Sequence, residues 1–264
     1  MKVLFFGDVI GKPGREAVKK ILPKWKKEYE PDLIIANGEN LAHGAGVTEK
    51  SLNEILETGV DLVTSGNHIF DKQEGMALLN FKDPKIIRPA NWPVSQCGVG
   101  YKIINVGIKN VLVINLNGRL FFRSTIDCPF RTADKILEET EDENLDAIIV
   151  DFHAEATSEK TALGHYLDGR VSAVVGTHTH IQTADEKILP AGTAYITDVG
   201  MVGPHDSVIS FDKKFAINSW MTQIFKGIDL AEGSVEVGAA IIEVDNKTKL
   251  AKNIKRLLEV IDID

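Results

Sequence analysis

Five apolar runs in this chain each end in polar residues of metal-binding type, and that pairing constrains the fold more than any other feature. The runs are VLFFGD (3–8), DLIIANGEN (32–40), DLVTSGNH (61–68), AIIVDFH (147–153) and SAVVGTHTH (172–180). Each reads as a β-strand. In an open α/β sheet, ligand sites lie in the crevice outside the carboxyl ends of the strands. Asp8, Glu39, Asn40, Asn67, His153, His178 and His180 are therefore expected to meet at one sheet edge. Two acids, two amides and three imidazoles form an oxygen and nitrogen donor set that suits manganese, iron or zinc. Two carboxylates against two divalent cations leave a positive surplus. Such a surplus binds phosphate oxygens and acidifies a coordinated water, with ions ~3.5–4 Å apart.

The rest of the pattern supports a layered α/β chain. A Gly/Pro turn opens a helical stretch, GKPGREAVKKILPKWKKEYE, that Pro23 is expected to shorten or kink. Strand 33–37 follows, then the loop LAHGAGVT, with Thr48 as N-cap of a helix over 49–58. Strand 61–65 and helix 71–80 complete a βαβαβ start, which predicts parallel strands. Residues 86–116 break into short β-like runs, with VGIKNV as a hairpin. Helices over 132–141 and 158–168 flank strand 147–152 and precede strand 172–177. The tail reads as β again, through GTAYITDVG, SVIS and VEVGAAIIEVDNKTKLAKNIKRLLEV, with a turn at Asn246–Lys247. There is no internal repeat and no low-complexity tract. The expected fold class is mixed α/β: two stacked sheets with helices outside, in one domain over 1–264.

Composition sets limits on function. The formal net charge of −8 removes the basic surface that duplex nucleic acid needs. A small nucleotide is still admissible, because a bound metal supplies positive charge locally. The two cysteines, Cys97 and Cys128, are not spaced as C-x-x-C and are expected to be buried free thiols. No stretch approaches the ~20 apolar residues of a membrane span, and MKVLFFGDV lacks the features of a signal peptide. A cytoplasmic protein with no membrane partner is expected.

The histidines carry the chemistry. Alternation puts His178 and His180 on one face of an extended segment, so both rings can converge. H-x-H alone is a weak signal; its weight comes from the order of all five blocks. Asn67 offers a neutral oxygen, and His68 beside it is placed to protonate a leaving oxygen.

That order, Asp8, GEN (38–40), GNH (66–68), His153 and GTHTH (176–180), resembles the calcineurin-like metallophosphoesterase superfamily. Two departures from its usual blocks, Ile10 in place of the histidine of D-x-H and Glu39-Asn40 in place of Asp, match the YmdB-like branch. That branch comprises bacterial 2',3'-cyclic-nucleotide phosphodiesterases. FFGDVIGKPGR (5–15), NGENLAHGAG (37–46), RPANWP (88–93), DFHAEATSEK (151–160) and TDVGMVGPHDSVIS (197–210) extend the resemblance over nearly the whole chain. It implies a four-layer sandwich of two mixed β-sheets flanked by helices. It further implies one metal on Asp8, Glu39, Asn40 and His180, and another on Glu39, Asn67, His153 and His178. Glu39 would bridge two divalent or mixed-valence ions, iron or manganese ahead of zinc, and His68 would be the proton donor. The implied substrates are 2',3'-cyclic nucleotides, with 3',5'-cyclic nucleotides open. A phosphomonoesterase acting on phosphoproteins, or a metal-dependent nucleotide-binding regulator, stays open on the same core, as does a homo-oligomer. His43, Arg119, Arg131 and His205 are weaker candidates for substrate contact, each with a surface role as the alternative; His165 reads as helix surface.

Overall fold

The computed structural model describes residues 1–225 and 229–263. The strands are β1 (Lys2–Val9), β2 (Leu33–Asn37), β3 (Leu62–Thr64), β4 (Tyr101–Val106), β5 (Lys109–Asn117), β6 (Ala147–His153), β7 (Ala173–Thr177), β8 (Lys187–Ile188), β9 (Ala194–Ile196), β10 (Met201–Pro204), β11 (Val235–Val244) and β12 (Ala251–Ile261). The helices are α1 (Gly11–Tyr29), α2 (Glu49–Glu57), α3 (Gln73–Leu79), α4 (Pro129–Glu139), α5 (Thr157–Tyr166) and α6 (Lys213–Thr222). One sheet has the order β12-β11-β10-β1-β2-β3 and the other β4-β5-β6-β7-β9-β8. In the first, β10, β1, β2 and β3 run parallel, while β11 and β12 are antiparallel to their neighbours. In the second, β5, β6, β7 and β9 run parallel and the edges are antiparallel.

The period-2 alternation of strand side chains builds the layers. In β1, Val3 and Phe5 face the second sheet and pack with Val113, Ile149 and Val175. Leu4 and Phe6 face the other way, onto Val18, Leu22 and Trp25 of α1 and Leu52 and Ile55 of α2. The outer face of the second sheet, with Leu112, Val150 and Phe152, packs on Ala133 and Ile136 of α4 and Leu163 of α5. The expected order of helix, sheet, sheet and helix is what forms. Parallel strands covered on both faces explain why their sequences read as continuous apolar runs.

Some expectations are corrected. α1 is not shortened at Pro23 but runs for 19 residues. Pro23 is exposed, and the buried stripe of Val18, Leu22 and Trp25 holds the helix against a proline cost of about 3 kcal/mol. SVIS forms no strand, only an isolated bridge from Val208 to Phe211, because Ile209 and Ser210 both have positive φ. KIIRPAN contributes one bridge, Ile86 to Val63. The last hairpin turns over residues 245–250 rather than at Asn246–Lys247 alone; Asp245 Oδ1 accepts from the N–H groups of Lys247 and Thr248. Helix α4 starts three residues early because Pro129 is preorganised for its first turn. Both cysteines are free but half-buried, not fully buried.

Candidate metal centre

All seven expected ligand residues lie at carboxyl ends of parallel strands, and both sheets contribute. Asp8 closes β1, Glu39 and Asn40 follow β2, and Asn67 follows β3. His153 closes β6, while His178 and His180 follow β7. The two sheets stack so that these ends meet.

Glu39 lies at the middle. Its Oε1 is 3.0 Å from His153 Nε2, and its Oε2 accepts from the His68 backbone N–H at 3.2 Å. His178 Nδ1 is 3.0 Å from His153 Nε2. Glu39, His153 and His178 each offer a ligand atom, all within 4.8 Å of one another. Asp8 accepts the His178 N–H at 3.0 Å through Oδ2, and its Oδ1 is 3.8 Å from His180 Nε2. The Asn40 amide is 3.2 Å from that same His180 nitrogen. Asp8, Glu39, Asn40, His153 and His180 are all buried. Gly66 must be glycine, since a Cβ there would lie 2.2 Å from Glu39 Oε2 and 2.4 Å from His153 Nε2.

The residues fit a bound metal pair on a separate count. Asp8 Oδ1 and Asn67 Oδ1 are buried with no hydrogen-bond partner. Buried oxygens of that kind cost free energy unless something satisfies them. A cation does so, and imidazole nitrogens of His153 and His180 lie 3.8 Å from Asp8 Oδ1.

Electrostatics of the metal-free centre turns on one pair. Burial alone would raise the Glu39 carboxyl, but the charge and hydrogen bond of His153 hold it at about 2. Burial alone would lower His153; Glu39 and the neighbouring acids instead lift it to about 9. Burial and then the His153 charge push His178 down to about 3. Burial raises Asp8, opposed by His180 and His153. Without metal, then, Glu39 is anionic, His153 cationic and His178 neutral. Metal ligation needs His153 without that proton, so cation uptake at pH 7.5 is expected to release about one proton, and affinity to rise with pH up to about 9. Calorimetric titration in buffers of different ionisation enthalpy measures the proton count; no release at pH 7.5 would contradict this.

Supporting residues that the sequence reading missed line the underside. Asp151, two residues before His153 on the same strand face, accepts from Asn37 Nδ2 (2.9 Å), Thr64 Oγ1 (2.5 Å) and Thr177 Oγ1 (2.8 Å). Thr177 Oγ1 in turn lies 2.9 Å from His153 Nδ1. Because that hydroxyl proton goes to Asp151, the ring must donate its Nδ1–H, which leaves Nε2 facing the centre. Burial lifts Asp151 to about 6 against these donors. The D-x-H spacing within β6 was a readable signal for Asp151. His68 has an equivalent partner: its Nδ1 is 2.6 Å from Asp71 Oδ2. A carboxylate only accepts, so Nδ1 carries the proton and Nε2 is free for substrate. Glu155 Oε2 is 3.0 Å from His178 Nε2, and the Phe122 ring packs 4.8 Å from the His178 ring.

Above the centre is a cleft of about 290 Å³, lined by Glu39, Asn40, His68, His178, His180 and the apolar wall of Ile209 and Phe211, among others. Gly44 lines it, but His43 does not. His43 is exposed in a left-handed turn, and Arg119 and Arg131 are exposed outside the lining. His205 pairs with Glu236 at 3.1 Å, and His165 is exposed on α5.

A four-layer sandwich with this cluster at the strand ends defines a protein of the metallophosphoesterase fold class. Residues 4–257 match the model of the family described as YmdB-like protein, and the chain belongs to that family. It is 47% identical over 260 residues to a 2',3'-cyclic-nucleotide 2'-phosphodiesterase of Bacillus subtilis (strain 168), covering 98% of this chain and 97% of the relative. A crystal structure of a hypothetical protein from Thermus thermophilus superposes with a TM-score of 0.91 at 41% identity, covering 98% and 99% of the two chains. That of a novel phosphatase from Mycoplasma pneumoniae gives 0.92 at 34% identity, covering 99% and 94%.

Proposed function

We propose that this chain is a two-metal phosphodiesterase that opens 2',3'-cyclic nucleotides in the cleft above Glu39. The observation that carries the reading is the unsatisfied buried Asp8 Oδ1, 3.8 Å from His153 and His180 nitrogens, beside the cluster of Glu39, His153 and His178, with Asn67 Oδ1 likewise buried and unpartnered. The Bacillus subtilis relative supports the substrate. Asp8, Glu39, Asn40 and His180 would hold one ion, and Glu39, Asn67, His153 and His178 the other. Asn40 would present its amide oxygen after a half-turn, because its nitrogen now faces His180. When bound, the ions supply Lewis-acid charge to the phosphate and acidify a water. Four oxygen donors beside three imidazoles favour iron or manganese over zinc. As a doubly protonated imidazolium, its Nδ1–H held by Asp71, His68 would deliver its Nε2 proton to the leaving ribose oxygen and be left as the neutral Nδ1–H ring. A small free nucleotide as substrate agrees with a cytoplasmic location, and no helix among the described residues is long and apolar enough to cross a membrane.

The test is a steady-state assay of manganese-loaded protein on 2',3'-cyclic AMP beside a phosphomonoester. Rapid opening to 3'-AMP with little monoester cleavage supports the reading. Monoester preference moves the assignment to a phosphatase, the description of the Mycoplasma pneumoniae neighbour. Inactivity on both, with tight nucleotide binding, moves it to a regulator. Zinc alone in protein purified without added metal would count against the metal preference.

A further inference from the structure

The two histidines of GTHTH both have left-handed backbone, with φ 98° at His178 and 65° at His180. Residues with a Cβ rarely adopt that region and keep it only where their surroundings over-determine it. Beside this turn lies a buried ion pair outside the expected site. Lys160 on α5 places Nζ 2.6 Å from Asp198 Oδ2, and both side chains are 1% exposed. That oxygen also accepts from the N–H (3.1 Å) and the hydroxyl (2.8 Å) of Thr179, the residue between the two histidines. Asp198 Oδ1 accepts the Gly200 N–H at 2.8 Å, and the Gly200 carbonyl accepts the Asp8 N–H at 3.1 Å. The ring closes where Asp8 Oδ2 accepts the His178 N–H. Two glycines permit the approach. A Cβ on Gly176 would lie 1.8 Å from the Thr197 carbonyl oxygen and 3.2 Å from Lys160 Cδ, and one on Gly7 would lie 2.0 Å from the Gly200 oxygen.

We propose that Lys160 and Asp198 form a positioning clamp that fixes His178, His180 and Asp8 in metal-binding geometry. This rests on the reading of the centre as a two-metal site. Neither clamp residue lines the cleft. A buried ion pair adds little net stability, because desolvation offsets its attraction. A charged carboxylate does, however, accept shorter and stronger hydrogen bonds than a neutral group. Lys160 balances the charge that lets Asp198 hold Thr179 and Gly200 at once. Since Thr179 lies between a histidine of each proposed metal position, losing the clamp weakens both positions together.

The experiment compares wild type, Lys160→Met and Thr179→Val, each loaded with manganese. Stoichiometry and affinity come from chelator competition, and stability from melting of the metal-free protein. Affinity at both positions is expected to fall roughly 10–100-fold in each variant. Leu112→Ala, in the outer core of the second sheet, serves as control. It should lower the melting temperature and leave affinity unchanged. Thr179→Val removes one hydroxyl and keeps the shape, so it decides the matter if Lys160→Met does not fold. Wild-type affinity in the folded variants overturns the clamp, whatever their stability. No metal bound by wild type itself overturns the reading of the centre, and the clamp with it.

Discussion

Glu39→Gln is expected to leave a folded protein that no longer retains two manganese ions per chain and opens 2',3'-cyclic AMP roughly a thousandfold more slowly. Glutamine keeps the shape and can still accept the His68 N–H that Glu39 now accepts. It removes the carboxylate proposed to bridge the two ions. His153 would lose the largest of the influences that oppose its burial, keeping only the charges of Asp8 and Asp151. A thousandfold corresponds to about 4 kcal/mol of transition-state stabilisation, within the several kcal/mol a catalytic ion supplies. Elemental analysis and kcat/KM on the same preparation check both halves. Full occupancy with wild-type turnover would remove Glu39 from the bridging position.

His68→Ala should show a different signature: two ions bound, and a rate loss that depends on the leaving group. His68 lines the cleft and is oriented by Asp71 at 2.6 Å, and its proposed role is on the departing oxygen rather than on the metals. General acid catalysis of this kind is worth roughly 10²–10⁴-fold. The loss on 2',3'-cyclic AMP should fall in that range, because a ribose alkoxide needs a proton. Bis(4-nitrophenyl) phosphate, whose phenolate leaves unprotonated, should lose less than about tenfold by the same reasoning. Equal losses on both esters would sink the proton-donor role.

Most of the layer order was legible because parallel strands buried on both faces must be apolar throughout, and the run ends then mark the sheet edge. Asp8, Glu39, Asn40, Asn67, His153, His178 and His180 could be picked out because each terminates such a run. The structure brings Asp8, Glu39, Asn40, His153, His178 and His180 within reach of one another, and it buries Asn67 Oδ1 without a hydrogen-bond partner. Other features were hidden by their physics. Pro23 looked like a breaker because propensity is local, whereas the packing of Trp25 and Leu22 is tertiary. SVIS looked like a strand because nothing in its composition reports the positive φ of Ile209 and Ser210. Asp151, Asp198 and Lys160 were not singled out. Their roles depend on partners 114, 19 and 38 residues away, and single-chain periodicity does not encode such pairings.

Every oxygen donor proposed for the centre, on Asp8, Glu39, Asn40 and Asn67, comes from one sheet, and every nitrogen donor, on His153, His178 and His180, from the other. Asp8 is also carried on a strand whose partners β10 and β11 are Met201–Pro204 and Val235–Val244, near the far end of the chain. The first-formed ligand, Asp8, is thus seated in the fold by strands from both ends of the chain. The proposed donor set is therefore complete only when both sheets have formed and stacked.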